Sequence, residues 1–156
     1  MDLAEYRPNV GVVLFHRDGR VWYGRRAGAP GPNNWQFPQG GVDDGEELFD
    51  AARRELAEET GVSTVSLLGR TQGWIAYDFP PGSDRGRRGW KGQKQVWFAF
   101  RFDGDESEID LNAHHHVEFD AWRWGRLDEA TELIVPFKRD VYAKVALAFH
   151  DYSEGV

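Results

Sequence analysis

Three glutamates in the second quarter of the chain, Glu55, Glu58 and Glu59, stand at positions i, i+3 and i+4. On a helix that spacing makes them neighbours on one face. At about 100° per residue, Glu59 falls between Leu48 and Ala52, inside the apolar stripe of Leu48, Phe49, Ala52 and Leu56. Like charges so placed repel one another, and one at the edge of a core loses hydration as well. Divalent cations against the carboxylates would relieve both costs, because hard cations such as Mg²⁺ take oxygen ligands. A solvated acidic helix face is the common meaning of Glu-rich stretches, but it leaves Glu59 unexplained.

The element that must position these carboxylates is one amphipathic helix. Gly45 and the acidic cluster before Leu48 read as its start, and Gly61 sits where a C′ glycine ends a helix. Between them lie good helix formers and no proline. Over residues 40–62 the fixed positions are Gly40, then Glu46, then Arg54-Glu55-Leu56-x-Glu58-Glu59-x-Gly61-Val62. This spacing resembles the box of the Nudix hydrolases and matches it at every specified position. The resemblance implies Mg²⁺- or Mn²⁺-dependent hydrolysis of nucleoside diphosphates linked to another group. It implies metal-binding roles for Glu55, Glu58 and Glu59, and a bracing ion pair between Glu46 and Arg54. A carbonyl at the Gly40-Gly41 pair could join the metal shell, since two glycines allow close backbone approach.

At 156 residues the chain is one domain's worth and long enough to bury a core. It is 40% hydrophobic with seven tryptophans, the composition of a globular protein. No run approaches a membrane span, no signal-peptide pattern opens the chain, and there is no cysteine for a disulfide or thiolate site. A cytoplasmic location, with no membrane and no obligate protein partner, is the expectation. Nineteen basic against 26 acidic residues, a net −7, argue against wholesale capture of long nucleic acid, though not against gripping one phosphorylated end.

Along the chain, residues 1–5 read as a loose terminus. The apolar run Val10–Phe15 suits a strand buried on both faces, and Asp18-Gly19 a hairpin turn into a strand over Val21–Gly24. That strand would deliver Arg25 and Arg26, whose guanidinium geometry suits phosphate, though a solvated loop tip is an equal reading. Ala27–Asn34 is a loop. Ser66–Arg70 and Thr71–Asp78 read as strand material carrying Trp74 and Tyr77, as do Gln95–Phe102, Glu108–Leu111 and Ala121–Trp124. A closing helix runs from Lys138 to about Tyr152. Pro80–Lys94 is irregular and basic, with Arg85, Arg87, Arg88, Lys91 and Lys94 around Trp90, a pattern suited to a phosphate chain and a stacked base. His114-His115-His116 invites a metal reading, but three consecutive histidines cannot all face one ion, so the run reads as a loop element.

The resemblance continues past the box. Tyr6–Gly11, Trp35–Gly41, Gly92–Gln95 with Trp97-Phe98, Glu118–Asp120, Trp122–Trp124 and Phe137–Tyr142 resemble one branch of the family: the bacterial RNA 5′-pyrophosphohydrolases and the plant-like dinucleoside polyphosphate hydrolases. It implies an α/β fold, an α/β/α sandwich with a mixed sheet, in a single domain over residues 1–156. It implies Glu118 as a further metal ligand or base, and Arg7, Arg26, Tyr77, Lys94 and Lys138 as contacts to phosphates or base. The mechanism it implies is attack of a metal-activated water on a phosphorus of a polyphosphate chain, with either Glu55 or Glu118 taking the proton. The substrate is left open between triphosphorylated RNA 5′ ends and diadenosine tetraphosphate. A non-catalytic binding or regulatory module is the alternative, and such a module would be expected to lose the box carboxylates. The 82–91 loop and the histidine run depart from the branch, both where substrate could be contacted.

Overall fold

The computed structural model describes residues 3–29, 31–81 and 89–156, so Arg85, Arg87 and Arg88 lie outside the described residues. The sheet is built around two strands, β1 (Tyr6–Phe15) and β7 (Gly92–Phe102), which pair in parallel from Tyr6↔Gly92 to Phe15↔Arg101. Parallel strands at the centre are covered on both faces, and these two are accordingly near-continuous apolar runs.

The outer edge of β1 is shared. β2 (Val21–Arg26) returns from the Asp18-Gly19 turn, and β4 (Gln39–Gly41) lies antiparallel to Asn9, Val10 and Gly11. β2 also carries β3 (Trp35–Gln36) and β8 (Phe119–Gly125). The outer edge of β7 is divided between β5 (Val65–Arg70) and β6 (Ile75–Asp78).

Helices cover both faces of this mixed sheet. Ala51, Ala52 and Leu56 of α1 (Leu48–Thr60) pack on Val10, Val12, Leu14, Phe98 and Phe100. On the opposite face, Val141, Tyr142 and Val145 of α3 (Arg139–Ala148) and the following Phe149 pack on Val13, Phe15, Tyr23 and Trp97, beside the short α2 (Ala130–Leu133). The α/β sandwich that the family resemblance implies is the architecture observed. Phe37, fully buried, stacks between Tyr23 and Tyr142 with ring centroids 5.0 Å away on each side, and its N–H donates to the Tyr142 hydroxyl at 3.0 Å. That clamp fixes the approach to β4.

The boundaries depart from expectation in several places. Arg25 and Arg26 lie within β2 rather than on a loop tip, because β8 pairs along its whole length. Trp74 precedes β6, since Gly73 turns the chain at φ 69°. Glu108–Leu111 is not a strand: Glu106–Glu108 is a 3-10 turn, and the Glu108 carboxylate instead accepts from the Ser63 and Thr64 N–H groups at 2.8 and 3.1 Å. The closing helix is shorter, with 3-10 turns before and after α3. Residues 3–5 form a turn whose Glu5 carbonyl accepts from the Lys91 N–H.

Candidate active site

α1 starts at Leu48 and stops at Gly61, whose φ of 79° is the left-handed conformation that glycine adopts without a steric penalty. Thirteen helical residues set Glu55, Glu58 and Glu59 against β4. The loop between β4 and α1 is braced by Arg54. Its Nε and Nη2 fork onto both oxygens of Glu46 at 2.8 and 2.9 Å, and Nη2 also donates to the Gly41 carbonyl at 2.9 Å. This paired geometry is the one guanidinium makes best. Arg54 holds the Glu46 carboxyl down to about 2. The same guanidinium reaches Glu55 Oε1 at 2.8 Å and Glu58 Oε2 at 3.4 Å through Nη1, so one cation orients two of the three box carboxylates.

Gly40 is required by contact. A Cβ placed there would stand 2.0 Å from the carboxyl carbon of Glu55 and 2.2 Å from its Oε2. At Gly41 a Cβ would stand 2.3 Å from Arg7 Nη2. Both glycines therefore let the Glu55 and Arg7 side chains lie against bare backbone.

Glu59 is only 7% exposed, and one of its oxygens accepts from the Gln39 N–H at 3.1 Å. Burial pushes its carboxyl well up, and Glu55 and Glu118 push in the same direction. Burial also raises Glu55, against the opposing pull of Arg54. A carboxylate buried among carboxylates must be neutralised by a proton or by a cation.

Glu55, Glu58, Glu59 and Glu118 line one cavity of about 430 Å³ with Gly40 and Arg7. An all-oxygen donor set of this kind fits hard divalent cations. Among the described residues, no three acidic or histidine side chains close around a single point. Arg54 and the Gln39 N–H hold oxygens of the three box carboxylates. Glu118 arrives from the start of β8, where its carbonyl accepts from the Ala27 N–H at 2.9 Å.

The other sequence candidates divide. Lys138 is 9% exposed, its ammonium 5.9 Å from the Tyr77 ring centre and 5.8 Å from that of Phe137. Burial lowers it to about 8, with Arg26 pushing the same way and Glu118 and Glu59 opposing. Lys138, Arg26 and Tyr77 do not themselves line the carboxylate cavity, but Lys138 is within electrostatic reach of Arg26, Glu118 and Glu59. Tyr77 donates to Gln93 Oε1 at 2.5 Å, and burial raises its hydroxyl to about 12. Lys94 stands apart. It pairs with Ala76 while Tyr77 pairs with Gln93, so Lys94 and Tyr77 project to opposite faces. Its ammonium lies 4.8 Å from the Trp74 ring centre, and it does not line the carboxylate cavity.

The histidine run is the loop element that the sequence suggested, and it lies against the carboxylates. His114 and His116 line the carboxylate cavity, and His116 Nε2 stands 3.6 Å from Glu118 Oε2. The signal available in the sequence was proximity, since His116 is two residues from Glu118.

A domain model described as NUDIX matches residues 5–145. The chain belongs to the NUDIX family. Similar proteins include an RNA pyrophosphohydrolase of Caulobacter vibrioides, 68% identical over 99% of this chain and 92% of that protein. An RNA pyrophosphohydrolase of Agrobacterium fabrum is 50% identical over 95% of this chain and 94% of that protein. Among solved structures, this NUDIX chain resembles an E. coli dihydroneopterin triphosphate pyrophosphohydrolase with a TM-score of 0.69, 21% identity, and 92% and 98% of the two chains covered. It resembles a C. elegans Ap4A hydrolase with a TM-score of 0.65, 17% identity, and 93% and 98% covered. The two structural likenesses establish a shared fold. Nudix hydrolases generally use divalent metal ions. No helix among the described residues is long and apolar enough to cross a membrane.

Proposed function

We propose that this chain removes pyrophosphate from the 5′ end of triphosphorylated RNA, in the cytoplasm, using Mg²⁺ or Mn²⁺ held by Glu55, Glu58, Glu59, Glu118 and the Gly40 carbonyl. The observation that carries this reading is the single cavity in which those four carboxylates and Gly40 meet Arg7. The choice of RNA is supported by the relatives at 68% and 50% identity, both RNA pyrophosphohydrolases matched over nine-tenths or more of each chain. A binding module without catalysis has no need of a complete carboxylate set, and this chain has one.

A divalent cation bound here supplies charge neutralisation and a lowered pKa for a nearby water. The chain's own groups then divide the remaining work. Arg7, Arg26 and Lys138 orient the phosphate chain and offset the charge that develops on it. Glu118 is the acceptor for the water's proton. Glu55 has one oxygen committed to Arg54 at 2.8 Å, whereas Glu118 faces the cavity without an arginine partner among the described residues. Water adds to phosphorus, the bond to the departing pyrophosphate breaks, and the RNA keeps its monophosphate.

Dinucleoside polyphosphate hydrolysis uses the same carboxylates and cations, so the test is competitive. With Mg²⁺, 5′-triphosphorylated short RNA and diadenosine tetraphosphate are offered at equal concentration and early rates are compared. Faster pyrophosphate release from RNA is the expected outcome. Faster production of ATP and AMP would overturn the RNA assignment, and turnover of neither would overturn the reaction itself.

A further inference from the structure

We propose that His114 and His116 form a hydrogen-bond-donor wall that holds the substrate's phosphate chain on the Glu118 side of the cavity. This inference rests on the hydrolase reading above and adds a phosphate-binding subsite to it.

The loop bearing the histidines is tied at both ends to the elements that carry the carboxylates. At its start, the Asp110 N–H donates to the Thr60 carbonyl at the end of α1 at 2.7 Å, and the Asn112 N–H donates to Asp110 Oδ1 at 2.9 Å. At its end, the Glu118 carbonyl accepts from the Ala27 N–H at 2.9 Å. Both ends of the loop are thereby anchored, to α1 at Thr60 and to the end of β2 at Ala27.

Within the loop, the His116 N–H donates to His114 Nδ1 at 3.3 Å, and the His115 ring lies against that of His114 with centroids 4.1 Å apart. With Nδ1 accepting, the proton of the neutral His114 ring is on Nε2. A metal ligand needs a nitrogen lone pair, and Nδ1 has already given its own to the backbone. What His114 presents to the cavity it lines is therefore an N–H donor rather than a ligand. His116 Nε2 stands 3.6 Å from Glu118 Oε2, too long for a hydrogen bond and close enough to serve the same space.

The composition of the cavity supplies the need. Its described lining is dominated by acceptors, the four carboxylates, and Arg7 is its one lysine or arginine. A phosphate chain presents only acceptor oxygens, so a cation-filled acidic pocket still requires N–H donors to fix where that chain lies. Two imidazoles on a tethered loop provide them.

The test is steady-state hydrolysis of 5′-triphosphorylated RNA with Mg²⁺ by wild type, the His114→Ala/His116→Ala double variant and the His114→Gln/His116→Gln double variant. Thermal unfolding of each accompanies the kinetics. Loss of hydrogen bonds to a charged group predicts a KM about 10- to 100-fold higher for the alanine variant, with kcat changed far less and Tm unchanged. Glutamine keeps an N–H donor and should recover most of that KM. An unchanged KM in the alanine variant of an active enzyme would overturn this subsite alone. So would a raised KM that glutamine fails to recover, because that pattern belongs to a structural loop. A wild-type protein that hydrolyses no polyphosphate would remove the hydrolase reading and the subsite together.

Discussion

Replacing Lys138 with methionine should stabilise the free protein while weakening its hold on phosphate. Lys138 is 9% exposed, and burial lowers its ammonium from 10.5 to about 8. Among the described residues it has no hydrogen bond or ion pair, only the flanking rings of Tyr77 and Phe137. At about 1.4 kcal/mol per unit, the folded state bears ~3 kcal/mol for keeping this group charged. The sign follows from the folded value lying below the unfolded one. The cost is full below pH 8, shrinks as pH rises from 8 to 10.5, and is gone above 10.5, where both states are neutral. Methionine retains the apolar stem and fills irregular space, so packing is largely kept. For a chain of this size, ~3 kcal/mol corresponds to a Tm roughly 6–12 °C higher at pH 7, with the gain fading toward pH 10.5. The assay is thermal and urea unfolding of both proteins between pH 6 and 10.5, in chelator. An equal or lower Tm for the variant at pH 7 would refute the reasoning, because it would mean that the ammonium is well compensated. The same variant should bind inorganic tripolyphosphate more weakly by calorimetry.

Three further outcomes follow from the site's packing. Gly40→Ala should cut turnover at least about 100-fold, the scale set by removing one transition-state contact, because its Cβ would occupy the place of the Glu55 carboxylate; rates with unfolding controls check it. Arg54→Lys should lower both stability and activity, since an ammonium cannot make the fork to Glu46 while also reaching Gly41 and Glu55. In wild type the Glu46 pairing contributes above pH 4.5 and is lost as pH falls toward 2, so acid unfolding of the two proteins should converge in that window. Gly61→Ala should cost about 1–2 kcal/mol from its left-handed backbone, with a further contribution from the Asp110 N–H 3.0 Å from the new Cβ, measured as a lower urea midpoint.

The carboxylate-bearing helix was legible because its constraints are local. Helix period, the Gly61 stop and the i, i+3, i+4 carboxylates all lie within one element, and α1 spans Leu48–Thr60 as they require. The apolar run of β1 likewise announced a strand buried on both faces, and the aromatic run of β7 a strand. What escaped the sequence depended on partners far along the chain. Glu108 caps Ser63 and Thr64, a contact across more than forty positions that no strand-like pattern at 108–111 could disclose. Lys94 ends the basic stretch whose composition suggested a grip on phosphate, yet strand alternation sends it to the face opposite Tyr77. The histidine run was legible as a place where substrate could be contacted, but that His114 and His116 line the carboxylate cavity itself goes with tethers to α1 at Thr60 and to the β2 end at Ala27, which have no sequence signature.

The most direct test of the carboxylate cavity as the reacting centre is Glu59→Gln. Glutamine keeps the shape and the acceptor for the Gln39 N–H but removes the charge that burial and the neighbouring carboxylates oppose. Mg²⁺-dependent pyrophosphate release from 5′-triphosphorylated RNA should disappear, while unfolding in chelator shows a protein at least as stable as wild type. A folded Glu59→Gln protein that retained most of its Mg²⁺-dependent turnover would contradict the assignment of this cavity as the active site.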